Sequence, residues 1–409
     1  MIMKFLLSPK PILGGNMSLM AYCLRYHQIQ DFLIGAPVRL LDGVIALPFL
    51  KVVEDLGIDA ITGGAPLFIP INKFSLLADI PSQTTQPAHK MILLLDEQVP
   101  PEEPFLSRIK ELKEKGFTFA VENITNFGFM DAIIQMCEYV ILSFKFDNMK
   151  NMDIFMRMSL RYKNQIFIAS DVACFGTLEK LKEAGFRFFE GNYYTLPIPK
   201  GGAALPLVKI NRLQLINAVN QDDFPMEDIA QIVSRDPSMT ISLLKMINSP
   251  YLGITRKIKS VSQAVAMIGQ KEVRKWVVTV LASLLCEDKP SSLARLSLFR
   301  AKFAENLAPF FGMSMLSDSL FLTGLFSVLD AILDCDMEEA LEMVKVSNEI
   351  RTALTEQKGE FYKVLELILA YEAADWSAVK HCIILNDLQP DDILDAYIET
   401  AKWYGTILT

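Results

Sequence analysis

Short apolar runs alternate with amphipathic stretches over the first 200 residues of the chain. Five runs have the length and the β-branched or aromatic content of buried strands. They are 65–71 (APLFIPI), 91–96 (MILLLD), 117–123 (FTFAVEN), 139–146 (YVILSFKF) and 165–171 (QIFIASD). Strand, helix, strand at this spacing predicts a parallel sheet with helices outside it. The pattern alone leaves open whether that sheet closes into a barrel.

Two stretches between these runs have the periodicity of amphipathic helices. Residues 100–116 place apolar side chains on one face and reach Gly116, and residues 176–185 repeat the pattern and end at Gly185. A glycine just past a periodic stretch is the usual C-terminal stop of a helix. Both stretches are therefore predicted helices that end at these glycines.

The second half of the chain has a different pattern, which is helical throughout. It follows the proline- and glycine-rich segment 196–206 (LPIPKGGAALP), which marks a boundary between domains. We expect one domain over residues 1–200 and an all-α domain over 203–409. Ser262 is predicted to cap a helix that ends at Gly269. Further helical patterns occur at 224–237, 271–286, 291–311, 318–334 and 337–357.

Composition narrows the class of protein. The 409 residues are 51% hydrophobic and 22% charged, which predicts a folded chain of two or three domains. The net charge of −8 argues against a nucleic-acid-binding protein. The six cysteines form no CxxC pair, which is typical of reduced cytosolic cysteines. The most apolar stretch after the N-terminal residues, 276–286, is too short to cross a membrane, so a cytoplasmic location is expected.

Common catalytic motifs are missing from the sequence. It contains no GxxxxGK[ST] or GxGxxG loop and no GxSxG elbow. Its three histidines, His27, His89 and His381, lie far apart, which argues against a histidine-rich metal site. No cofactor is predicted from the residues themselves.

Both halves resemble domains of bacterial signalling proteins. Residues 61–74 (ITGGAPLFIPINKF), 100–123 and 180–197 are similar to the shortened EAL domain of two-domain proteins of the YuxH-like group. Residues 232–253, 258–277 and 320–333 (LFLTGLFSVLDAIL) resemble an HDOD domain. The resemblance covers nearly the whole chain, and the order of both halves makes it specific. It implies an EAL-type modified TIM (β/α) barrel followed by an all-helical HDOD domain related to HD-GYP phosphohydrolases.

Active EAL domains hydrolyse cyclic-di-GMP with two divalent metals at the C-terminal mouth of the barrel, so the resemblance implies ligand positions that can be checked one by one. Most of these positions hold residues that suit hard cations poorly. Asp96 and Glu97 match family acids that are not metal ligands, and the family's QG becomes Glu190-Gly191. The matching ligand positions are Cys23, Pro70, Leu93, Glu122, Asn123, Ile141, Ser143, Ser170 and Ala173.

In the helical half the resemblance implies a His-Asp metal pair in the catalytic relatives. Ser327 and Val328 stand at those two positions, and neither side chain builds a divalent site. Asp236, Asn248, Ser249 and Gly269 match characteristic HDOD positions, and their residue types suit helix caps and turns. The resemblance therefore implies an interaction module in this half.

We accordingly expect a non-catalytic signalling protein that acts by protein–protein contact, with a partner that the sequence does not identify. A homo-oligomer is one arrangement left open, and no cofactor, nucleic acid or membrane is expected to bind. The alternative is a cyclic-di-GMP sensor or, further from the residues, a phosphodiesterase. Arg25 is the residue that the resemblance offers as a nucleotide contact.

Overall fold

The computed structural model describes most of the chain. The described residues are 5–29, 48–145, 149–198, 205–219 and 260–408, with the single positions 225, 228, 247 and 258. Except for positions 225 and 228, the predicted helix at 224–237 lies outside this described part, as do the predicted turn residues Asp236, Asn248 and Ser249.

Eight strands of the first half close into a barrel in chain order. The barrel predicted by resemblance is thereby confirmed, and the five apolar runs form its strands β3 to β7. The strands are β1 (Phe5–Gly14), β2 (Leu19–Gln28), β3 (Leu67–Pro70), β4 (Met91–Leu95), β5 (Thr118–Glu122), β6 (Tyr139–Ser143), β7 (Ile166–Ser170) and β8 (Phe188–Glu190).

Strand β1 runs against the others. It pairs antiparallel with β2 along almost its whole length and with β8 at only three residues, Ile12, Leu13 and Gly14. All other neighbours from β2 to β8 are parallel. We call the pair β1–β2 the ribbon, because its outer half extends beyond the strands on either side.

Apolar side chains fill the interior of the barrel, so it is a packed core. Strands β1 to β7 each contribute at least one residue to this cluster, and every member is at most 4% exposed. The cluster consists of Ile12, Ala21, Cys23, Phe68, Ile92, Leu94, Ala120, Ile141 and Ile168. Met20, Tyr139 and Phe188 pack against it.

Helices surround the strands. Helix α4 buries Ile109 and Leu112, and Gly116 just beyond it has φ 92°. Helix α7 ends at Gly185, which has φ 110° in the left-handed region. Both glycines therefore stop their helices as predicted. The helices of this half are α1 (Pro48–Leu56), α2 (Ile58–Thr62), α3 (Lys73–Leu77), α4 (Phe105–Glu114), α5 (Asp131–Met136), α6 (Met149–Arg161) and α7 (Phe175–Ala184).

Every described element after residue 205 is a helix, which confirms the all-helical second half. Ser260, rather than the predicted Ser262, caps α9, because its side chain accepts from the Gln263 amide at 3.2 Å. Gly269 interrupts α9 with φ 80°. The helices are α8 (Leu207–Val219), α9 (Val261–Leu285), α10 (Ser291–Leu307), α11 (Ser317–Phe326), α12 (Leu329–Leu333), α13 (Met337–Glu342), α14 (Asn348–Thr355), α15 (Glu360–Glu372), α16 (Trp376–Leu385) and α17 (Pro390–Leu408).

Packing divides the chain into two compact units. The barrel unit comprises Met1–Tyr194 and Leu369–Leu394, and the helical unit comprises Thr195–Ile368 and Asp395–Thr409. The sequence predicts two contiguous domains, whereas this division assigns Leu369–Leu394 to the barrel. Among the described residues, no helix combines the length and the apolar composition that a membrane crossing requires.

Candidate functional site

The carboxyl ends of β2 to β8 meet at one end of the barrel, which we call the mouth. Catalytic and binding residues of such barrels gather at this end. Side chains alternate along a strand, so residues two positions beyond an interior residue continue its inward-facing row. The residues that extend these rows toward the mouth are Arg25, Glu122, Ser143, Ser170 and Glu190.

Cys23 lies in the interior just below the mouth, at the position where the resemblance implies a metal-binding glutamate. It is 0% exposed. Burial raises the pKa of its thiol to about 12 despite the opposing effect of the nearby Arg25. The group is therefore a neutral thiol at physiological pH, which suits packing rather than binding a hard cation.

The guanidinium of Arg25 places a positive charge at the mouth itself. Its two terminal nitrogens donate to the two carboxylate oxygens of Glu122 at 2.8 and 2.9 Å, a bidentate arrangement. The same guanidinium lies 3.7 Å from Glu190, and Lys10 on β1 lies 4.0 Å from that carboxylate. Two cationic and two anionic side chains thus form one network across β1, β2, β5 and β8.

Glu190 is the most buried carboxyl group in this network, at 3% exposure. Burial raises its pKa above the ordinary glutamate range, while Arg25 and Lys10 act in the opposite direction. A buried carboxylate is tolerated only when cations or hydrogen-bond donors compensate it. The two basic residues of the ribbon therefore supply the charge that Glu190 requires.

A second polar contact joins the ends of β6 and β7. The Ser143 hydroxyl donates to the Asp171 carboxylate at 2.5 Å. Asp171 has φ 59° and Asn123, just beyond β5, has φ 57°. Aspartate and asparagine tolerate this left-handed backbone better than other non-glycine residues. Strands β5 and β7 therefore each end in a sharp turn at the mouth.

The structure brings only part of the predicted site together. Cys23 and Ile141 belong to the interior cluster, and Glu122 and Ser143 lie at the mouth above it. Asn123 and Ala173 are exposed beyond the ends of their strands. Ser170 is buried at the end of β7, and the Pro70 carbonyl oxygen at the end of β3 accepts from the Tyr26 hydroxyl at 3.5 Å.

On β4 the interior position is Leu94 and not Leu93. Ile92 and Leu94 belong to the interior cluster, and Leu94 pairs with Pro70 and Ala120 on the neighbouring strands. Leu93 lies one residue away and therefore points to the opposite face of the sheet, where it is 1% exposed. The position matched by resemblance is thus out of phase with the inward-facing row.

The two acids after β4 have local partners. The Asp96 carboxylate accepts from the Gln98 amide at 3.0 Å, and partial burial raises its pKa. Glu97 accepts from both the amide and the hydroxyl of Thr125, at 3.1 and 2.6 Å. These bonds hold the loops that follow β4 and β5, which is a structural role.

In the helical unit, the two positions of the metal pair form a small polar contact beside an apolar residue. The Ser327 hydroxyl donates to the Gly324 carbonyl at 2.7 Å and accepts from Arg300 at 3.1 Å. Val328 is 2% exposed. Nearby, burial raises the pKa of Asp330 above the ordinary aspartate range. Within the described residues of both units, no three His, Cys, Asp or Glu side chains are grouped so as to hold a metal ion.

The sequence analysis does not predict that Lys10 lies at the mouth. It also does not predict the ion pairs of Glu190. Lys10 lies between Pro9 and Pro11, which makes the segment read as a poor strand. The available signal is alternation, because Lys10 is two residues before the interior Ile12. Once β1 is known to be a strand, this spacing places a lysine at the mouth.

Comparison with known proteins gives matches for both halves. Residues 205–376 match the model of the HDOD domain. The chain is 24% identical over 416 residues to "Uncharacterized protein YuxH" of Bacillus subtilis (strain 168), covering 99% of each chain. It is 27% identical over 340 residues to "Cyclic di-GMP phosphodiesterase CdgJ" of Vibrio cholerae, covering 82% of this chain and 78% of that protein.

Solved structures of EAL proteins match the barrel half. A standalone EAL protein from Vibrio cholerae O395 in its c-di-GMP-bound form is 14% identical, with a TM-score of 0.38, and covers 47% of this chain and 92% of that chain. An EAL domain protein from Listeria monocytogenes EGD-e is 14% identical with a TM-score of 0.35, covering 46% of this chain and 87% of that chain.

Proposed function

We propose that this homologue of YuxH, with its HDOD domain over residues 205–376, is a cytoplasmic bacterial signalling protein that acts by binding other proteins and not by turnover. The pathway class follows from the relative named as a cyclic di-GMP phosphodiesterase. In this proposal the barrel keeps the fold of a hydrolase of that class and performs no hydrolysis.

The observation that carries the proposal is the Arg25–Glu122 pair at the mouth. The carboxylate of Glu122 is 12% exposed and both of its oxygens already accept from one guanidinium. Glu190 is compensated in the same way by Arg25 and Lys10. A cation from the chain itself thus neutralises the carboxylates that would otherwise attract metal ions.

The remaining groups at the mouth do not fit a pair of divalent cations. Magnesium and its relatives require several oxygen ligands close together. Cys23 presents a buried neutral thiol, and Leu94 and Ile141 present hydrocarbon. Without a bound cation that lowers the pKa of water, the mouth lacks a source of hydroxide for hydrolysis.

The helical unit also supports an interaction role, because the positions of its expected metal pair hold side chains that do not bind metal. Ser327 and Val328 stand where catalytic relatives of the fold hold a metal, and both are engaged in packing or hydrogen bonds within the unit. Such a unit contributes surfaces and not a reaction centre.

The alternative is a protein that binds or hydrolyses cyclic-di-GMP. The name of the Vibrio cholerae relative favours it, and Arg25 is a phosphate-binding side chain at the mouth. Binding of a phosphate by Arg25 would require Glu122 to give up its bidentate partner, which leaves a partly buried carboxylate uncompensated.

A hydrolysis assay combined with calorimetry separates these functions. The purified full chain is incubated with cyclic-di-GMP and Mg²⁺ or Mn²⁺, with and without a chelator, and the products are separated by chromatography. We expect neither linear product nor binding heat. Turnover that the chelator abolishes would contradict the proposal, and binding heat without turnover would establish the sensor.

The interaction role has its own test. Proteins retained by the tagged full chain are identified by mass spectrometry, and each is then purified and titrated against the chain alone. We expect at least one binary complex to form in the absence of cyclic-di-GMP. If no captured protein binds in the purified titration, the interaction role is contradicted.

A further inference from the structure

The ribbon projects past its neighbours at the mouth. β2 pairs with β3 only through Tyr22 and Cys23, and β1 pairs with β8 only from Ile12 to Gly14. Residues 5–9 therefore pair with residues 24–28, and no other strand in the described part of the chain pairs with either run. This outer half of the ribbon carries Arg25, with Lys10 just after it on β1, and its free edge needs partners for its backbone groups.

Residues 369–394 of the barrel unit supply those partners. We call them the lid segment. The Leu7 amide donates to the Tyr371 hydroxyl at 3.1 Å, and the Ser8 hydroxyl donates to the Glu372 carbonyl at 3.1 Å. The rings of His27 and Trp376 stack with centroids 5.6 Å apart and planes 19° apart.

These contacts lie on the ribbon face that carries the charges of the mouth. Ser8 is the direct cross-strand partner of Arg25. Ser8 precedes Lys10 by two residues and His27 follows Arg25 by two residues, so all four side chains share one face. The lid segment is therefore anchored on this face of the ribbon, beyond the Arg25–Glu122 pair as seen from the barrel interior.

We propose that residues 369–394 are an intramolecular lid, which holds the ribbon over the mouth and keeps the barrel interior closed until the segment is displaced. Tyr371 is the anchor, since it is 1% exposed and bonds the open edge of β1. Trp376 adds a stacked contact with His27. Breaking this contact costs less free energy than breaking a contact in the buried core, because Trp376 is only half-buried. The closure is intramolecular, because the chain's own residues 369–394 hold Leu7, Ser8 and His27 of the ribbon whose strands carry Arg25 and the buried Cys23.

The reactivity of Cys23 reports the state of the lid directly. A thiol must be accessible and ionised to react, and this thiol is neither in the closed state. Full-length protein with Trp376→Ala or Tyr371→Phe is treated with a maleimide, and labelling of each cysteine is followed by mass spectrometry. We expect Cys23 to label roughly tenfold faster in each variant, which corresponds to the loss of one buried hydrogen bond or contact.

Two controls separate lid opening from general loosening. Cys137 is 3% exposed and lies away from the ribbon at the end of α5, so its labelling rate reports global unfolding of the barrel unit. Ile384→Ala alters a residue on the same helix as Trp376 that is 68% exposed, and we expect it to leave Cys23 protected.

The outcomes decide the proposal either way. Faster labelling of Cys23 with unchanged labelling of Cys137 supports the lid. An unchanged Cys23, or an equal rise at both cysteines in the conservative Tyr371→Phe variant, overturns it. The experiment needs neither ligand nor turnover, so its result is independent of whether the mouth binds or hydrolyses cyclic-di-GMP.

Discussion

At the scale of single residues, Arg25 acts in the mouth as a fixed cation. Its guanidinium satisfies Glu122 in a planar, bidentate fashion that a lysine could not reproduce. A buried ion pair adds little net stability compared with an apolar pair, yet removing one partner is costly. Replacing Arg25 alone should therefore destabilise the barrel more than the net contribution of the ion pair suggests.

Arg25→Met is expected to lower the free energy of unfolding by roughly 3 kcal/mol, because Glu122 and Glu190 both lose a compensating charge in a partly buried site. The measurement is the urea midpoint of the full chain. As a matched control, Lys182→Met removes a surface cation that pairs with Glu179 at 2.9 Å, where we expect a change below about 0.5 kcal/mol. Equal effects of the two substitutions would show that the mouth pair has no special role.

Glu190 predicts a pH dependence with a definite sign. Its pKa is raised in the folded state by burial, so folding takes up a proton as pH falls toward the ordinary glutamate range. The stability that it contributes is complete below its unfolded pKa and is lost as pH rises through its folded pKa. We expect unfolding free energy to fall less steeply with pH over that window in Glu190→Gln than in the original chain. Parallel curves from urea titrations would contradict this assignment, since Asp96 and Asp330 titrate alike in both proteins.

Alternation along β4 shows how far the sequence predicts a site. It correctly separates Leu93 and Leu95 from Ile92 and Leu94, but it does not say which set faces inward. That choice depends on the neighbours, since Leu94 aligns with Pro70 and Ala120. A run of five apolar residues buried on both faces carries no polar marker of the inner side.

At the scale of elements, β1 illustrates a strand that composition hides. Pro9 and Pro11 argue against a strand, because proline donates no ladder hydrogen bond. The Leu7 amide points away from β2 toward Tyr371, and by alternation the nitrogens of residues 9 and 11 point the same way. No strand among the described residues pairs with that edge there, so the missing donors break no ladder hydrogen bond of a described strand. Helices α4 and α7 were easier to predict, since periodicity and glycine stops lie within ten or so residues of each other.

Helices α10 and α11 make a close approach at Gly324. A methyl group there would overlap the Arg300 carbonyl and lie 2.7 Å from the Ala301 Cα. We expect Gly324→Ala to destabilise the helical unit by roughly 2–3 kcal/mol, measured by the loss of far-ultraviolet circular dichroism in urea. Gly405→Ala in α17 is the matched control, because nothing lies within 4 Å of the added carbon. There alanine is expected to be neutral or to stabilise by up to about 1 kcal/mol.

At the scale of the whole molecule, the proposed function predicts indifference to divalent cations. A resident site filled a hundredfold above its dissociation constant would stabilise the chain by about 2.7 kcal/mol. We expect the melting temperature to shift by less than about 1 °C when Mg²⁺, Mn²⁺ or a chelator is added. A rise of several degrees that the chelator reverses would reveal a metal site, and differential scanning fluorimetry measures it.

The division into units is the part of the architecture that the sequence predicts least. The change from strand–helix alternation to helices marks a boundary near residue 200, and it carries no sign that residues 369–394 pack with the barrel. A contact such as that between Leu7 and Tyr371 joins residues 364 positions apart. Local patterns reveal elements and their amphipathic faces, but pairing at such a distance depends on the complete fold.

The same separation in sequence means that Leu7 is synthesised well before its partner Tyr371. At about 5–20 residues per second, roughly 20 to 70 s pass between translation of Leu7 and translation of Tyr371. From the translation of Glu190 onward, the emerging barrel has all eight of its strands and still lacks the segment that contacts the ribbon. Each newly made molecule therefore passes through a stage at which the ribbon lacks its contacts with Tyr371 and Trp376, and a chain whose synthesis stops before residue 371 never gains them.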